Sequence, residues 1–322
     1  MPVDLTELKA GDRVQEVLLV IAVEQKSYSG GVFTVLTLSN ASGTIDTAPV
    51  WDNEQELVAG VRKRHVVQVI GDVTLYDGRR QLKVISPLRV MPEGTVQPQQ
   101  LLPSVGDVSR YWETLDGWRR EIRKPRLAQM LALFYDEDEF RRRYAQCPAS
   151  INGHHAKIGG LLKHTTEVAA IARTIARVTG GDQDLVLAGA LLHDIGKLEA
   201  YSWDGMFDYT EDHHLVGHVV LGVRMLERRL RECGVQLPAR EQAMLEHLIL
   251  SHHGQFEFGS PVRPLTLEAE ILHWADNASA KTSSMVDALR DAAAFGDEVV
   301  AQRRVWQLDG RRPFRGSSDW GA

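Results

Sequence analysis

His193-Asp194 is an adjacent imidazole and carboxylate set at the end of an apolar run, Leu191-Leu192, and followed at once by Ile195-Gly196-Lys197. The two groups cannot both face a hydrophobic core without partners, because an unpaired buried charge costs several kcal/mol. A divalent first-row cation resolves the conflict, since neutral imidazole and carboxylate are both good ligands for it. Further donors stand at His164, His218, His252-His253 and Asp276, each on or at the end of a predicted helix. One histidine on an apolar face is most often a satisfied core residue. Most of the twelve histidines, with two aspartates, gathered in one half of the chain at helix ends and between small residues, favour a metal centre instead. Gly196 lets the backbone turn closely, and Lys197 can set an ammonium on a phosphate oxygen. His214 and His218 are four apart and share one helix face, so only one need point at a metal; His273 and Asp276, three apart, also share a face.

These donors need helices to hold them. The apolar residues of Leu161–Val178 fall on one stripe, with Gly159-Gly160 before it and Gly180-Gly181 ending it. Gln183–His193 is apolar nearly all round and should be central. Tyr201–Tyr209, with Asp204-Gly205 in its middle, reads as a small hairpin or ordered loop. Asp212–Cys233, Pro238–His253 and Leu267–Ala280 complete the set. Upstream, Tyr111, Trp112, Leu115, Trp118 and Ile122 repeat at helical spacing, Pro125 opens another helix, and Arg126–Tyr135 and Glu137–Ala145 follow as short amphipathic segments. The helical domain is expected over 104–295, with an Arg- and Gly-rich surface tail over 296–322.

Residues 1–90 have a different period. Arg13–Val23, Val32–Leu38, Thr44–Trp51, His65–Val73 and Gln81–Ile85 read as strands, with turns at Ser29-Gly30-Gly31 and Asn40–Gly43 and a strong hairpin signal at Tyr76-Asp77-Gly78-Arg79. Five short strands with one helix-sized gap fit a small closed barrel of the oligonucleotide-binding (OB) type. Residues 91–103 lie in a Pro- and Gln-rich stretch and read as a linker. Tyr28, Trp51 and Tyr76 interleave with Arg79, Arg80 and Lys83 on the barrel, a mixture suited to stacking bases and meeting phosphates. Phe33 is expected in the barrel core.

At 322 residues, 43% apolar and 25% charged, the chain has the composition of a two-domain globular protein. No apolar run is long enough to span a bilayer, and the first residues lack the pattern of a secretory signal. Two lone cysteines make neither a disulfide framework nor a CxxC zinc site, which points to a reducing cytoplasm. A net charge of −6 argues against a tight nonspecific duplex binder but leaves room for a local basic strip.

His164…His193-Asp194…Asp276 resembles the signature of the HD-domain metal-dependent phosphohydrolases. Gly217-His218 and Ser251-His252-His253-Gly254 are similar to segments of the two-metal members. With an OB barrel in front, and with His154-His155 preceding Gly159-Gly160-Leu161-Leu162-Lys163-His164-Thr165, the chain resembles the bacterial YhaM-type 3′–5′ exoribonucleases over roughly residues 10–285. Lys163 stands where the family is often acidic, and His213-His214 adds imidazoles that its pattern does not require. The resemblance implies an OB barrel followed by an all-α HD bundle. It implies one metal on His164, His193, Asp194 and Asp276, and a second on His218, His252 and His253 with Asp194 as bridge. Mn is the first expectation, with Fe, Zn, Co, Ni and Mg open. It also implies a hydroxide nucleophile between cations roughly 3.5–4 Å apart, Lys197 on the non-bridging oxygens, and His155 as a substrate contact. The activity so implied is stepwise hydrolysis of single-stranded RNA, and of DNA as a second polymer, to 5′ nucleotides, by a chain that is a candidate homo-oligomer. Two other readings compete: an HD nucleotide or cyclic-dinucleotide phosphohydrolase with the barrel as scaffold, and a non-catalytic nucleic-acid-binding protein.

Overall fold

The computed structural model describes residues 3–291 and 294–316, so the last six residues of the expected tail lie outside the described residues. Two compact units emerge. One holds the described residues of 1–104, 204–206 and 286–322; the other holds 105–203 and 207–285.

In the first unit the strands are β1 (Arg13–Tyr28), β2 (Gly31–Asn40), β3 (Gly43–Thr47), β4 (Val50–Trp51), β5 (Val66–Tyr76), β6 (Arg79–Val84) and β7 (Arg89–Val90). Five of them close on themselves: β1 pairs with β2 and β5, β2 with β3, β3 with β6 in parallel, and β6 with β5. β1 serves two neighbours because its first half, Arg13–Leu19, lies along β5 and its second half, Leu19–Tyr28, along β2. A register shift between Val20 and Ala22 marks the handover, and such irregularities bend a strand round a barrel. Period-two alternation sends Val67, Val69 and Val73 of β5 inward, where they meet Val14, Leu18, Leu36 and Leu82. The β5–β6 turn has both central residues left-handed, Asp77 at φ 48° and Gly78 at φ 68°, as a two-residue hairpin of the Asp-Gly kind requires.

Three expectations change here. The strand expected over Thr44–Trp51 splits into β3 and β4, and the helix-sized gap holds a 3₁₀ helix, Asp52–Val58, that buries Val58. The stretch expected as a linker over 91–103 groups with the barrel, burying Leu102 and receiving a 2.9 Å hydrogen bond from Ser39 Oγ at the Leu101 carbonyl. The segment expected as a surface tail also groups with the barrel: Ala301 and Leu308 are buried, as is Phe295 just before it, and Val300 bridges to Phe314. Sparse apolar residues in an Arg-rich segment carry no periodicity, so the sequence pattern does not reveal that Ala301 and Leu308 are buried.

The second unit is helical: α1 (Ser109–Glu121), α2 (Pro125–Tyr135), α3 (Asp138–Tyr144), α4 (Gly160–Thr179), α5 (Gln183–Leu192), α6 (Lys197–Ala200), a hairpin of β8 (Tyr201–Ser202) and β9 (Asp208–Tyr209), α7 (Glu211–Leu215), α8 (His218–Glu232), α9 (Ala239–Ser251) and α10 (Leu267–Arg290). α5 is central as its composition demands, with every residue from Leu185 to Leu192 buried against α2, α4 and α9. Asp182 caps it, accepting from the Leu185 amide at 3.2 Å. α4 buries Leu161, Leu162, Val168, Ala169, Ala172 and Ala176 and ends at left-handed Gly180.

The helix expected over Asp212–Cys233 is broken. Gly217 takes φ 81°, closing α7 and starting α8 at His218. His214 and His218 therefore do not share a helix face; His214 is exposed and His218 largely covered.

Candidate metal centre

Four helices and the turn after α5 bring the donors together. His164 lies in the second turn of α4, His193 and Asp194 follow α5, His218 opens α8, His252 and His253 follow α9, and Asp276 is on α10. Gly196 makes the convergence feasible. A Cβ there would stand 2.0 Å from the His218 carbonyl and 2.4 Å from the Gly222 nitrogen, so only glycine lets the turn after Asp194 reach α8.

Asp194 is central and has two faces. Its Oδ2 is 3.1 Å from His193 Nε2 and 3.5 Å from His164 Nε2. Its Oδ1 is 3.5 Å from His218 Nε2 and 3.7 Å from His252 Nε2. Asp276 completes the first group, with Oδ1 3.0 Å from His164 Nε2 and 3.9 Å from His193 Nε2. His253 completes the second, its ring centroid 4.2 Å from that of His252 and 5.0 Å from that of His218. The donor atoms of His164, His193 and Asp276 lie within 4.8 Å of one another, as do those of His218, His252 and His253.

Both groups fit a divalent cation. Ligand atoms held about 2.0–2.2 Å from one ion stand roughly 3–4 Å apart. Three buried polar atoms, Asp194 Oδ1, His218 Nε2 and His252 Nε2, have no hydrogen-bond partner. Orphans of this kind are rare in folded proteins, and an ion satisfies them. The far nitrogens are already committed: His193 Nδ1 donates to the Ala190 carbonyl at 2.8 Å, His252 Nδ1 to Ile249 at 2.7 Å and His253 Nδ1 to Phe258 at 2.6 Å. Those bonds fix the tautomer that leaves Nε2 a free lone pair. Burial pushes the His164, His218 and His252 imidazoles down, which keeps them neutral and ready to ligate. Burial alone would raise the Asp194 and Asp276 carboxyls. Lys197 and His193 beside the first, and His164 beside the second, hold both well below the usual carboxylate range.

His164 is held differently. Its Nδ1 lies 3.1 Å from Ser279 Oγ, which in turn donates to Glu167 Oε2 at 2.9 Å. The same carboxylate oxygen takes His155 Nε2 at 2.8 Å and Ser283 Oγ at 3.3 Å. Sequence reading missed Glu167 and Ser279, although each lies three residues beyond a donor on the same helix, the spacing that shares a face. Lys163, one turn before Glu167, has its ammonium 3.8 Å from the Glu167 carboxylate, so the unexpected positive charge is turned to that partner.

Two residues expected at the substrate are paired within the protein. His155, expected at the substrate, is buried and bonded to Glu167 and Ser283. Its neighbour His154 faces the donors, with its ring centroid 4.9 Å from that of His164, its Nε2 buried without a partner and its pKa pushed by burial to about 3. The two residues are adjacent and identical in kind, but the backbone at His155 is left-handed (φ 51°), and the two rings meet different partners. Lys197, expected on a phosphate oxygen, is buried with its ammonium 2.6 Å from Asp194 Oδ2, where it balances the charge of the shared carboxylate. His213 stacks on Tyr209 with centroids 4.0 Å apart and lies parallel to the His218 ring at 6.4 Å.

On the barrel, Tyr28 and Trp51 are about two-fifths exposed and meet edge to face at 5.0 Å. Phe33 is not in the core as expected; it pairs across β2 and β4 with Trp51, ring centroids 5.1 Å apart, and joins this half-exposed cluster. Tyr76 is 72% exposed at the hairpin, next to exposed Arg79, and Lys83 is exposed on β6. Arg80 drops out of the expected phosphate contacts. Its guanidinium donates to the carbonyls of Leu5, Thr6 and Leu8, pinning the N-terminal turn to the barrel.

Residues 161–281 match the HD domain family. The chain is also 32% identical over 310 residues, 95% of its own length and 96% of the relative's, to the 3′-5′ exoribonuclease YhaM of Bacillus subtilis. Similarity of that extent runs through both units and the whole donor cluster, and the chain belongs to the YhaM family of HD-domain, divalent-metal-dependent 3′–5′ exoribonucleases.

Proposed function

We propose that this protein shortens single-stranded RNA from its 3′ end, releasing 5′ nucleotides, with two divalent cations, Mn first among them, and that single-stranded DNA is a second substrate. The observation that carries the two-cation reading is the division of Asp194. One carboxylate oxygen faces His164 and His193 and the other faces His218 and His252. A lone metal on the first group would leave the buried nitrogens of His218 and His252 orphaned.

When bound, such a pair of cations lowers the pKa of water between them and neutralises the attacking and leaving oxygens of a phosphodiester. The chain's own residues then divide the remaining work. His164, His193, Asp194 and Asp276 hold one position; His218, His252 and His253, with Asp194, hold the other. Lys197 keeps Asp194 ionised in a buried setting. His154 turns a neutral, unpartnered nitrogen toward the same space, where it can hold a phosphate or leaving-group oxygen by a hydrogen bond. The half-exposed rings of Tyr28, Phe33 and Trp51, with Tyr76, Arg79 and Lys83, offer stacking and charge to unpaired strand at about 1–3 kcal/mol per stacked base. Free cysteines at Cys147 and Cys233 suit a cytoplasmic setting.

The test is a 5′-labelled single-stranded RNA incubated with the Mn-loaded protein, its products sized on a gel, with a DNA of the same sequence in parallel. A ladder that shortens from the unlabelled end supports the reading. Hydrolysis confined to mononucleotides or cyclic dinucleotides refutes it in favour of a small-molecule phosphohydrolase. Trp51→Ala should raise the KM for the oligonucleotide about tenfold and leave bis(p-nitrophenyl) phosphate hydrolysis unchanged.

A further inference from the structure

Between His253 and α10 the chain runs through a loop that exposes two phenyl rings: Phe256 is 56% and Phe258 65% accessible. Leaving such a ring in water forgoes about 1.5–3 kcal/mol of burial. The loop is nonetheless firmly built. His253 Nδ1 donates to the Phe258 carbonyl at 2.6 Å, and the amides of Phe258 and Ser260 both reach the Gln255 carbonyl at 3.2 Å. Gly254 takes φ 78° with its missing Cβ only 2.2 Å from the His273 ring, so the loop's first residue is wedged against α10. Phe258 thus sits one hydrogen bond and one imidazole ring from the second donor group. The Arg263 guanidinium stands 5.0 Å over the Phe256 ring, bringing a positive charge to the same surface, while Glu257 between the rings is exposed.

We infer that this loop is a subsite for the 3′-terminal nucleotide of the substrate strand, with Phe258 stacking on its base and Arg263, steadied by Phe256, pairing with a backbone phosphate. The inference rests on the exonuclease reading and deepens it. An exposed aromatic whose carbonyl is tied to a donor histidine, with a guanidinium over the ring two residues before it, matches the chemistry of a nucleotide: a π face and an anion joined by a short linker. Stacking makes the subsite tolerant of sequence, because every base has a π face. It also ties position to catalysis, since a base held on Phe258 is indexed to the histidine that His253 contributes.

The experiment uses the full-length protein and two RNA oligonucleotides that differ only in whether the 3′-terminal nucleotide carries a base. Binding is read by anisotropy in EDTA, and hydrolysis with Mn, with bis(p-nitrophenyl) phosphate as a third substrate. Wild-type protein should prefer the base-bearing strand by about tenfold in Kd and kcat/KM. Phe258→Ala should abolish that preference by weakening only the base-bearing strand, Phe258→Tyr should keep it, and Arg263→Ala should weaken both strands alike. Equal affinity and rate for the two strands in wild-type protein overturns the subsite while leaving the exonuclease reading intact. Failure of wild-type protein to hydrolyse either RNA while it cleaves the small ester overturns the exonuclease reading itself. A fall in mass by light scattering for Phe258→Ala, with base preference retained, overturns the subsite and makes the loop a contact between copies of this chain.

Discussion

Asp194→Asn separates the electrostatics of the centre from its catalysis, because its effect should be visible with no metal present. The substitution preserves shape and keeps one oxygen acceptor, so what it removes is charge. Lys197 Nζ lies 2.6 Å from Asp194 Oδ2, and both side chains are buried. At an effective dielectric near 20, opposite charges at that separation attract by roughly 6 kcal/mol. The lysine has one escape: it can shed its proton, which from an ordinary pKa near 10.4 costs about 4–5 kcal/mol at pH 7. The net penalty is therefore about 3–5 kcal/mol, the usual range for breaking a buried pair. At roughly 2–4 °C per kcal/mol, Tm in EDTA should fall by roughly 6–20 °C. A second signature follows from the sign of the linkage. The folded variant carries a neutral lysine where its unfolded chain carries a protonated one, so raising the pH favours the folded variant, and the stability deficit should narrow by about 1.4 kcal/mol per pH unit between pH 7 and 9, roughly 3–6 °C in Tm per unit. Scanning calorimetry at three pH values measures both. A variant that melts within 1 °C of wild type at pH 7, or whose deficit does not change with pH, would show that Lys197 and Asp194 are not the coupled pair described above.

Other expectations concern the surroundings of the centre. Glu167→Gln, or Ser279→Ala, should weaken cation binding at the His164 position by about 10–100-fold and leave the His218–His252–His253 position unchanged, as titration calorimetry would resolve. Metal-free protein should lose stability as the pH falls from about 7 to 5. His164, His218, His252 and His154 are all pushed below their ordinary values by burial, so the unfolded chain takes up protons that the folded one refuses; only His193 among the shifted histidines of the cluster runs the other way, the charge of Asp194 overcoming its burial. A flat Tm across that window would contradict it. Arg80→Met should cost about 1–3 kcal/mol by stripping the donors from the Leu5, Thr6 and Leu8 carbonyls, read as faster amide exchange in that turn, with strand affinity unchanged.

Local chemistry determines much of this protein. Residue type and period set the barrel strands and the long helices: Val67, Val69 and Val73 alternate inward, and the Leu161–Ala176 stripe faces one way because a helix repeats every 3.6 residues. The seven side chains that the structure gathers into one cluster stand out as candidates for a related reason, since imidazoles and carboxylates on apolar faces demand a partner. Tertiary structure decided what spacing cannot express. The left-handed backbone at Gly217 separated His214 from His218, and packing set the ring of His154, not that of His155, nearest to His164. Lys197 and Arg80, each suited by charge to a phosphate, met a carboxylate and three carbonyls first, because a buried or pinned cation takes the nearest acceptor. Glu167 acquired its place only when α4 and α10 packed together and set Ser279 between it and His164. Sequence period tells which way a residue faces along its own element, whereas what it meets there depends on elements a hundred residues away.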